Sequence, residues 1–533
     1  MLKKIAAAAL CLVLCLGVTG CGQEESAGAK LKDGATFTVA VAQTPDSLNP
    51  VVSAGGGLAE EFFLLCYDPL WRLDETGQPV ECLVDSYSLS SDKLTWTIRL
   101  RQDVTFSDGV ALTAQDVMFS YDLMRHNATA YQDYFDGVTT IRCPDDYTVV
   151  ITTEYVKGDM LYNPTPILPK HIWSAYESNP ASFDNTQMIG SGPFVYDWSN
   201  DAVDGWLFQT RADYFQGAAQ VGAVCFAYYG TVTGAARALA AGETDASFGL
   251  TDVQLTTLES VPGVELIQAL LPQGECRAVA FNTRSSFFAS QSMRQLMEYC
   301  MDRAWFLSMS SGGAGQTGSV FVTPGTDYFY TVTDMRAYSL DTAAAQLRLA
   351  GYADTDEDGI LENTRGDKLS LVVYTSSQDV WAATAATIFT QAMEQLGIEI
   401  IWEKTDEPIQ TVCGDDDSWD MCTVSWQGSV DPSLAAMRFQ SEVGSLTGWQ
   451  DSTYDSVLSQ LCDQLDSDGR KTYTQQLQEL VYQACPVVVL SYGADIQAIR
   501  QDDWTGYEDI LAAAGGLFGL GSVSAYMAVT PRT

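Results

Sequence analysis

Only two histidines, His126 and His171, occur in 533 residues, so reactions that need an imidazole base have almost nowhere to find one. Nucleophilic hydrolysis pairs a Ser or Cys with such a base, and no G-x-S-x-G elbow is present to expose a serine. No two cysteines form a C-x-x-C pair, and with so few His a Cys/His zinc site is not indicated. Most of the cysteines beyond Cys21 stand among apolar residues, as in Leu65-Cys66-Tyr67 and Val224-Cys225-Phe226, which suits small buried side chains. Gly190-Ser191-Gly192-Pro193 lacks the Gly-Lys-Ser/Thr ending of a phosphate loop and reads as a turn. Asp354, Asp356 and Asp358, alternating ahead of Gly359, copy the start of a calcium loop. Arg365 stands at the twelfth position, where such loops need a bidentate Glu. The segment reads as an acidic turn before a strand, with weak calcium binding left open. Among the many acids no pair stands out as a glycosidase couple. These residues offer no catalytic group and no cofactor site that stands out, while composition alone leaves a carboxylate pair open.

The compartment is written in the first residues. Lys3 and Lys4 precede an apolar run from Ile5 to Leu16, shorter than the roughly 20 residues a spanning helix needs but right for a signal peptide. It ends at Val18-Thr19-Gly20-Cys21, which resembles the lipobox of bacterial lipoproteins. On that reading residues 1–20 are a signal peptide, Cys21 carries the lipid, and residues 21–32 are a polar tether. The chain is then expected on the extracellular face of the cytoplasmic membrane, held by its lipid alone. With 68 acids against 28 bases, a net charge of −40, nucleic acid is excluded as a partner, since phosphate binding needs clustered Lys and Arg. Strong like charge favours a soluble monomer.

The elements that would position a binding site alternate along the chain. Thr36–Val41 alternates polar and apolar residues as a strand, and so does Leu94–Leu100, with Leu94, Trp96, Ile98 and Leu100 on one face. Thr113 with Asp116 three residues on predicts a capped helix from Ala114. Ser292 with Gln295 predicts another, whose stripe of Met293, Leu296, Met297, Cys300, Ala304 and Leu307 runs on one face. A helix over about 381–396 stops at Gly397 and feeds strand 398–402; a later one over about 471–484 closes at Pro486 before the run Val487–Leu490. Such alternation without a short repeat predicts two α/β lobes joined by chain crossings.

The ordered series Tyr67-Asp68-Pro69-Leu70, Leu83-Val84-Asp85-Ser86-Tyr87, Leu94-Thr95-Trp96-Thr97-Ile98-Arg99-Leu100 and Phe106-Ser107-Asp108-Gly109 resembles the signature region of a known family. That family is the peptide/nickel-type extracellular solute-binding proteins (family 5) of ATP-binding-cassette importers. Gly190-Ser191-Gly192-Pro193-Phe194, Ala241-Gly242-Glu243, Phe281-Asn282-Thr283, Met301-Asp302-Arg303 and Trp426 through Asp431-Pro432 extend the likeness in the family's order. The resemblance implies a two-lobed, type II-like periplasmic-binding-protein fold with an extra subdomain in the first lobe. Lobe one would span 33–277, with the subdomain at about 60–185, and regain residues 488–533; lobe two would span 278–487. It implies a cleft that closes on a solute and hands it to permease subunits. In peptide-binding members the Asp of the matching Asp-Pro pair bonds the ligand's α-ammonium, a role that falls to Asp431. Trp426 and Gly428 stand in the same segment, Trp426 as a pocket wall. Ser377 and Gln378 occupy the place where dipeptide binders carry an Arg for the ligand carboxylate; no Arg stands there, which leaves room for longer peptides. With no His near Asp431, nickel chelates are disfavoured. The loop from Leu48 to Ser53 would line the opposite side. The alternative solute is an oligosaccharide, suggested by the 12 Trp.

Overall fold

The computed structural model describes residues 31–532 apart from 199–203, 415–417, 442–444 and 517–521. Cys21 and the segments assigned to the signal peptide and most of the tether lie outside the described residues. Strand Thr36–Val41 sits at the middle of a seven-stranded sheet, parallel to Ala223–Tyr228 on one side and to Ala246–Leu250 on the other. Phe37, Val39, Ala40 and Val41 are all buried, so the strand is covered on both faces, as parallel strands usually are. The late strand Asp495–Arg500 enters the same sheet, antiparallel between Ala246–Leu250 and Val264–Ala269. The C-terminal segment therefore completes the first lobe.

A six-stranded sheet forms the second lobe, in the order Gln316–Thr317, Val487–Tyr492, Glu275–Phe281, Met421–Gln427, Ser370–Ser376, Glu399–Thr405. Side-chain alternation divides its two faces between two cores. Cys276, Ala278 and Ala280 point into one with Val487 and Val489; Val279 and Phe281 point into the other with Val488 and Leu490. That is why Val487–Leu490 reads as an unbroken apolar run. The chain leaves the first sheet after Ala269 and joins the second at Glu275, returning between Tyr492 and Asp495. The sheet changes thus fall a few residues outside 277/278 and 487/488. The two crossings lie side by side, with the Gly493 amide donating to the Glu275 carbonyl at 2.8 Å.

A third, four-stranded sheet of Val84–Leu89, Thr95–Leu100, Thr148–Thr153 and Val138–Asp145 packs against helix Ala114–Arg125. The helix begins with the expected capping box between Thr113 and Asp116. Its core is continuous with that of the first sheet, so this unit is an annex of lobe one.

One expected helix divides in two. The stripe from Met293 runs through Gln291–Glu298, then breaks, and a new helix Arg303–Ser311 starts where Asp302 accepts the Trp305 amide at 2.9 Å. Ser290, not Ser292, holds the first cap position, and its hydroxyl bonds the Ser292 hydroxyl at 2.8 Å. Cys300 and Phe306 still share the core, but Ala304 is exposed. A local cap outcompeted a periodicity that ran straight through it.

Candidate functional site

The lobes touch through a small set of named contacts. Tyr162 of lobe one and Tyr328 of lobe two share a hydrogen bond of 2.6 Å between hydroxyls. The Arg470 guanidinium lies over the Tyr162 ring at 5.2 Å, a cation–π contact across the divide. Ser467 donates to the Gln78 side-chain oxygen at 2.7 Å. Beside these contacts lies a cavity of about 260 Å3. Lobe one supplies Glu60, Trp71, Tyr131, Tyr134 and Tyr162 to its wall, and Gln273 and Val430 close it from the crossing and from lobe two. Rings with one polar tip suit a site that must grip apolar and polar parts of one solute.

Asp431 follows Val430 and is wholly buried. It caps helix Pro432–Met437, its Oδ1 accepting the Ser433 amide at 2.9 Å and the Ser433 hydroxyl at 2.6 Å. Pro432 at the first helical position loses no amide that the helix would use. The same Oδ1 accepts from Arg470 Nη2, in an ion pair in which both side chains are almost fully buried. Oδ2 is buried with no hydrogen-bond partner. Burial opposes the charge of Arg470, yet Asp431 and the Tyr162 hydroxyl hold its proton above the usual value. Burial pushes Tyr134 up, and the negative charge of Asp431 adds to it. Burial also raises Asp159, partly offset by Lys157 at 2.7 Å. At the cavity wall, burial raises the Glu60 carboxyl against a hydrogen bond from the Gly56 backbone. Arg72, the basic group on that wall, is committed to Asp68 at 2.5 Å. Of these carboxylates Glu60 alone lines the cavity, where Arg72 is already paired.

The other expected contacts are scattered. Trp426 lines a separate cavity of about 270 Å3 inside lobe two, beside Arg438, Phe439 and Trp449, and its indole leans toward the Phe321 carbonyl at 3.4 Å. Ser377 and Gln378 are exposed at the end of strand Ser370–Ser376, with Ser377 Oγ bonded to Asp406; neither lines the inter-lobe cavity. The Leu48 carbonyl accepts from Asn185 at 2.6 Å, and the buried Ser53 hydroxyl bonds Asp46 at 2.9 Å. They hold the loop, while the next residues, Ala54, Gly55 and Gly56, reach the cavity. Gly428 has a packing task. Its amide donates to the Gly274 carbonyl at 3.0 Å, and a Cβ there would lie 2.2 Å from the Pro272 carbonyl oxygen. Gly428→Ala is therefore expected to push lobe two off the crossing and lower stability by about 1–3 kcal/mol, read as a drop in urea midpoint. An unchanged midpoint would mean that the crossing yields freely. Trp71, Tyr131, Tyr134 and Glu60 were not singled out in the sequence, because the residues nearest them carry no motif that separates wall from core.

The sequence pattern of "Bacterial extracellular solute-binding proteins, family 5 Middle" matches residues 78–445. The chain belongs to this family. It is similar to the oligopeptide-binding protein AppA of Bacillus subtilis, 24% identical over 415 residues, which cover 75% of each chain. It is also similar to the glutathione-binding protein GsiB of Escherichia coli, 21% identical over 85% of this chain and 88% of that one. In three dimensions the structure of AppA in complex with a nonapeptide superposes with a TM-score of 0.66 at 20% identity, covering 95% of this chain and 100% of that one. HbpA2 of Haemophilus parasuis gives 0.79 at 19% identity, over 93% and 100%. These establish a family 5 solute-binding protein of ABC importers with the two-lobed fold. Family 5 proteins work outside the cytoplasmic membrane, and among the described residues no helix is long and apolar enough to cross one. The oligosaccharide alternative finds no support in the two relatives named for oligopeptides and glutathione, and Trp426, read as a pocket wall, lines the cavity within lobe two and not the one between the lobes.

Proposed function

We propose that this family 5 protein is a lipoprotein, anchored through Cys21, that captures peptides between its lobes and delivers them to an ABC permease without chemical change. The observation that carries the reading is the aromatic inter-lobe cavity lined by Glu60 and Val430, with the buried Asp431 next along the chain keeping one carboxylate oxygen unpartnered. A peptide's α-ammonium is the cation this neighbourhood accepts, and the rings take its side chains. Sequence likeness to an oligopeptide-binding protein and to a glutathione-binding protein supports the class. Arg72, the basic side chain on the cavity wall, is paired with Asp68, so among the described residues no free cation there awaits a short peptide's carboxylate, which favours ligands longer than dipeptides. The receptor works as a monomer, its charge of −40 opposing self-association. Native mass spectrometry of protein purified from a peptide-rich medium tests this directly. Bound masses that fragment as peptides are the expected outcome; a ligand that fragments otherwise, or no binding across a broad peptide library, would reject the reading.

The acid at the wall gives a pH test. An ammonium beside Glu60 favours its ionised form, whereas burial holds its carboxyl raised in the free protein. Affinity should therefore be constant above that raised value and fall as pH drops through it, because binding must then expel a proton. Glu60→Gln should abolish the slope and weaken binding near neutrality. In the free fold the sign reverses, since a carboxyl raised on folding costs stability as pH climbs from its unfolded to its folded value. Calorimetric titrations across the mildly acidic range decide it; a slope that persists in Glu60→Gln would assign the proton elsewhere.

A further inference from the structure

None of the acidic segment Asp354–Glu362 lines the inter-lobe cavity, and the segment is built more fully than its sequence suggests. One oxygen from each of Asp354, Asp356, Asp358 and Glu362 lies within 4.8 Å of the other three. The three aspartates are exposed, but Glu362 is only 3% exposed. Its Oε2 accepts the Thr355 amide and hydroxyl, each at 2.7 Å. Its Oε1 is buried without any hydrogen-bond partner. An ionised oxygen in that position is costly unless a cation meets it. The basic group nearby is Lys368, which bonds Asp358 and stands 3.7 Å from Asp356, with its side chain 44% exposed. One ammonium does not balance four carboxylates.

We infer that Asp354, Asp356, Asp358 and Glu362 form a calcium site that fastens the hairpin at 353–369 to lobe two. Calcium binds oxygens at about 2.3–2.6 Å, so two ligands on opposite sides of it stand up to about 5 Å apart. The observed limit of 4.8 Å fits that sphere. Magnesium, at about 2.1 Å, would require every oxygen pair to lie within about 4.2 Å, so the set would have to contract. Counting from Asp354, the acids occupy positions one, three, five and nine, with Gly359 at the sixth (φ +91°) and Ile360 at the seventh, where such loops offer a carbonyl. Glu362 replaces the missing acid at the twelfth position, because it is drawn into the site by backbone pairing. It bridges to Ala353 on one side and to Lys368 on the other. Next to it, the Leu361 amide donates to the Gly397 carbonyl at 2.8 Å and Leu369 returns to Leu361 at 2.7 Å. A cation here would tie the loop to the start of strand Ser370–Ser376, which lies inside the second sheet.

The test is calorimetric titration of the chelator-treated full chain with calcium chloride, alongside thermal unfolding in calcium or in magnesium at equal ionic strength. The expected result is one saturable site with a dissociation constant of roughly 10⁻⁴–10⁻³ M, the range of extracellular modules. Calcium should raise the melting temperature and magnesium should not. Asp356→Asn, an exposed change that leaves packing intact, and Glu362→Gln should each weaken binding at least about tenfold, as expected for losing one charged ligand of four. Lys368→Gln should tighten it by removing a competitor. No saturable binding up to about 10 mM, tenfold beyond the weakest such modules, would overturn the site. So would binding that survives unchanged in both acid variants, which would mean that calcium is held by the general acidic surface.

Discussion

Asp431→Ala is expected to lower the unfolding free energy by about 3–5 kcal/mol, because it strands the Arg470 guanidinium in a site from which water is excluded. Loss of the cap on Pro432–Met437 contributes about 1 kcal/mol of that. A fall in peptide affinity in this variant would therefore be ambiguous, since a damaged lobe binds poorly for any reason. The double variant Asp431→Ala with Arg470→Met removes both charges together and should recover most of the stability, as replaced buried pairs often do. If Asp431 offers its unpartnered oxygen to the ligand's ammonium, the double variant will fold well and still bind peptides weakly. The expected deficit is roughly 2–5 kcal/mol, the cost of losing one side of a buried charge pair. Urea unfolding supplies the first number and calorimetry the second. Wild-type affinity in a stable double variant would remove Asp431 from the site and leave it as the lock of the lobe two helix.

Tyr134→Ala should cost the second largest share of affinity, about 2 kcal/mol or roughly thirtyfold, while leaving the melting temperature nearly unchanged. The residue is half-buried, on the short helix Gln132–Phe135, and its ring faces the cavity rather than the core. Trp71 and Tyr131 are more deeply packed, so their truncation would mix folding with binding. Trp426→Ala is the matching control, because its ring lines the cavity internal to lobe two. Should Trp426→Ala lose more affinity than Tyr134→Ala, the solute would have to enter lobe two itself, and the inter-lobe cavity would lose its place as the binding site.

Local chemistry was legible wherever it depended on neighbours in the chain. The capping box of Thr113 and Asp116, the strand at 36–41 and the stop at Gly397 need only a few adjacent residues, and all three formed. The break between Gln291–Glu298 and Arg303–Ser311 was missed because an apolar stripe does not reveal a competing cap at Asp302 within it. The acid at Glu362 was missed for a related reason. Counting along the chain sought a ligand at the twelfth position, whereas β-bridging brings the ninth into the cluster.

The amino-acid order by itself determined the family, the α/β character and the two-lobed plan, because ordered motifs and periodicity survive in one dimension. The cap that Asp431 places on helix Pro432–Met437 is likewise local, needing only adjacent residues. Only the tertiary structure decided which charge Asp431 meets, since Arg470 lies 39 residues away in sequence and arrives through packing of its own helix. The cleft was decided the same way. Its wall joins residues near 55, 71, 134 and 162 to Val430, and contacts between such distant segments depend on how whole lobes dock, which no local pattern encodes.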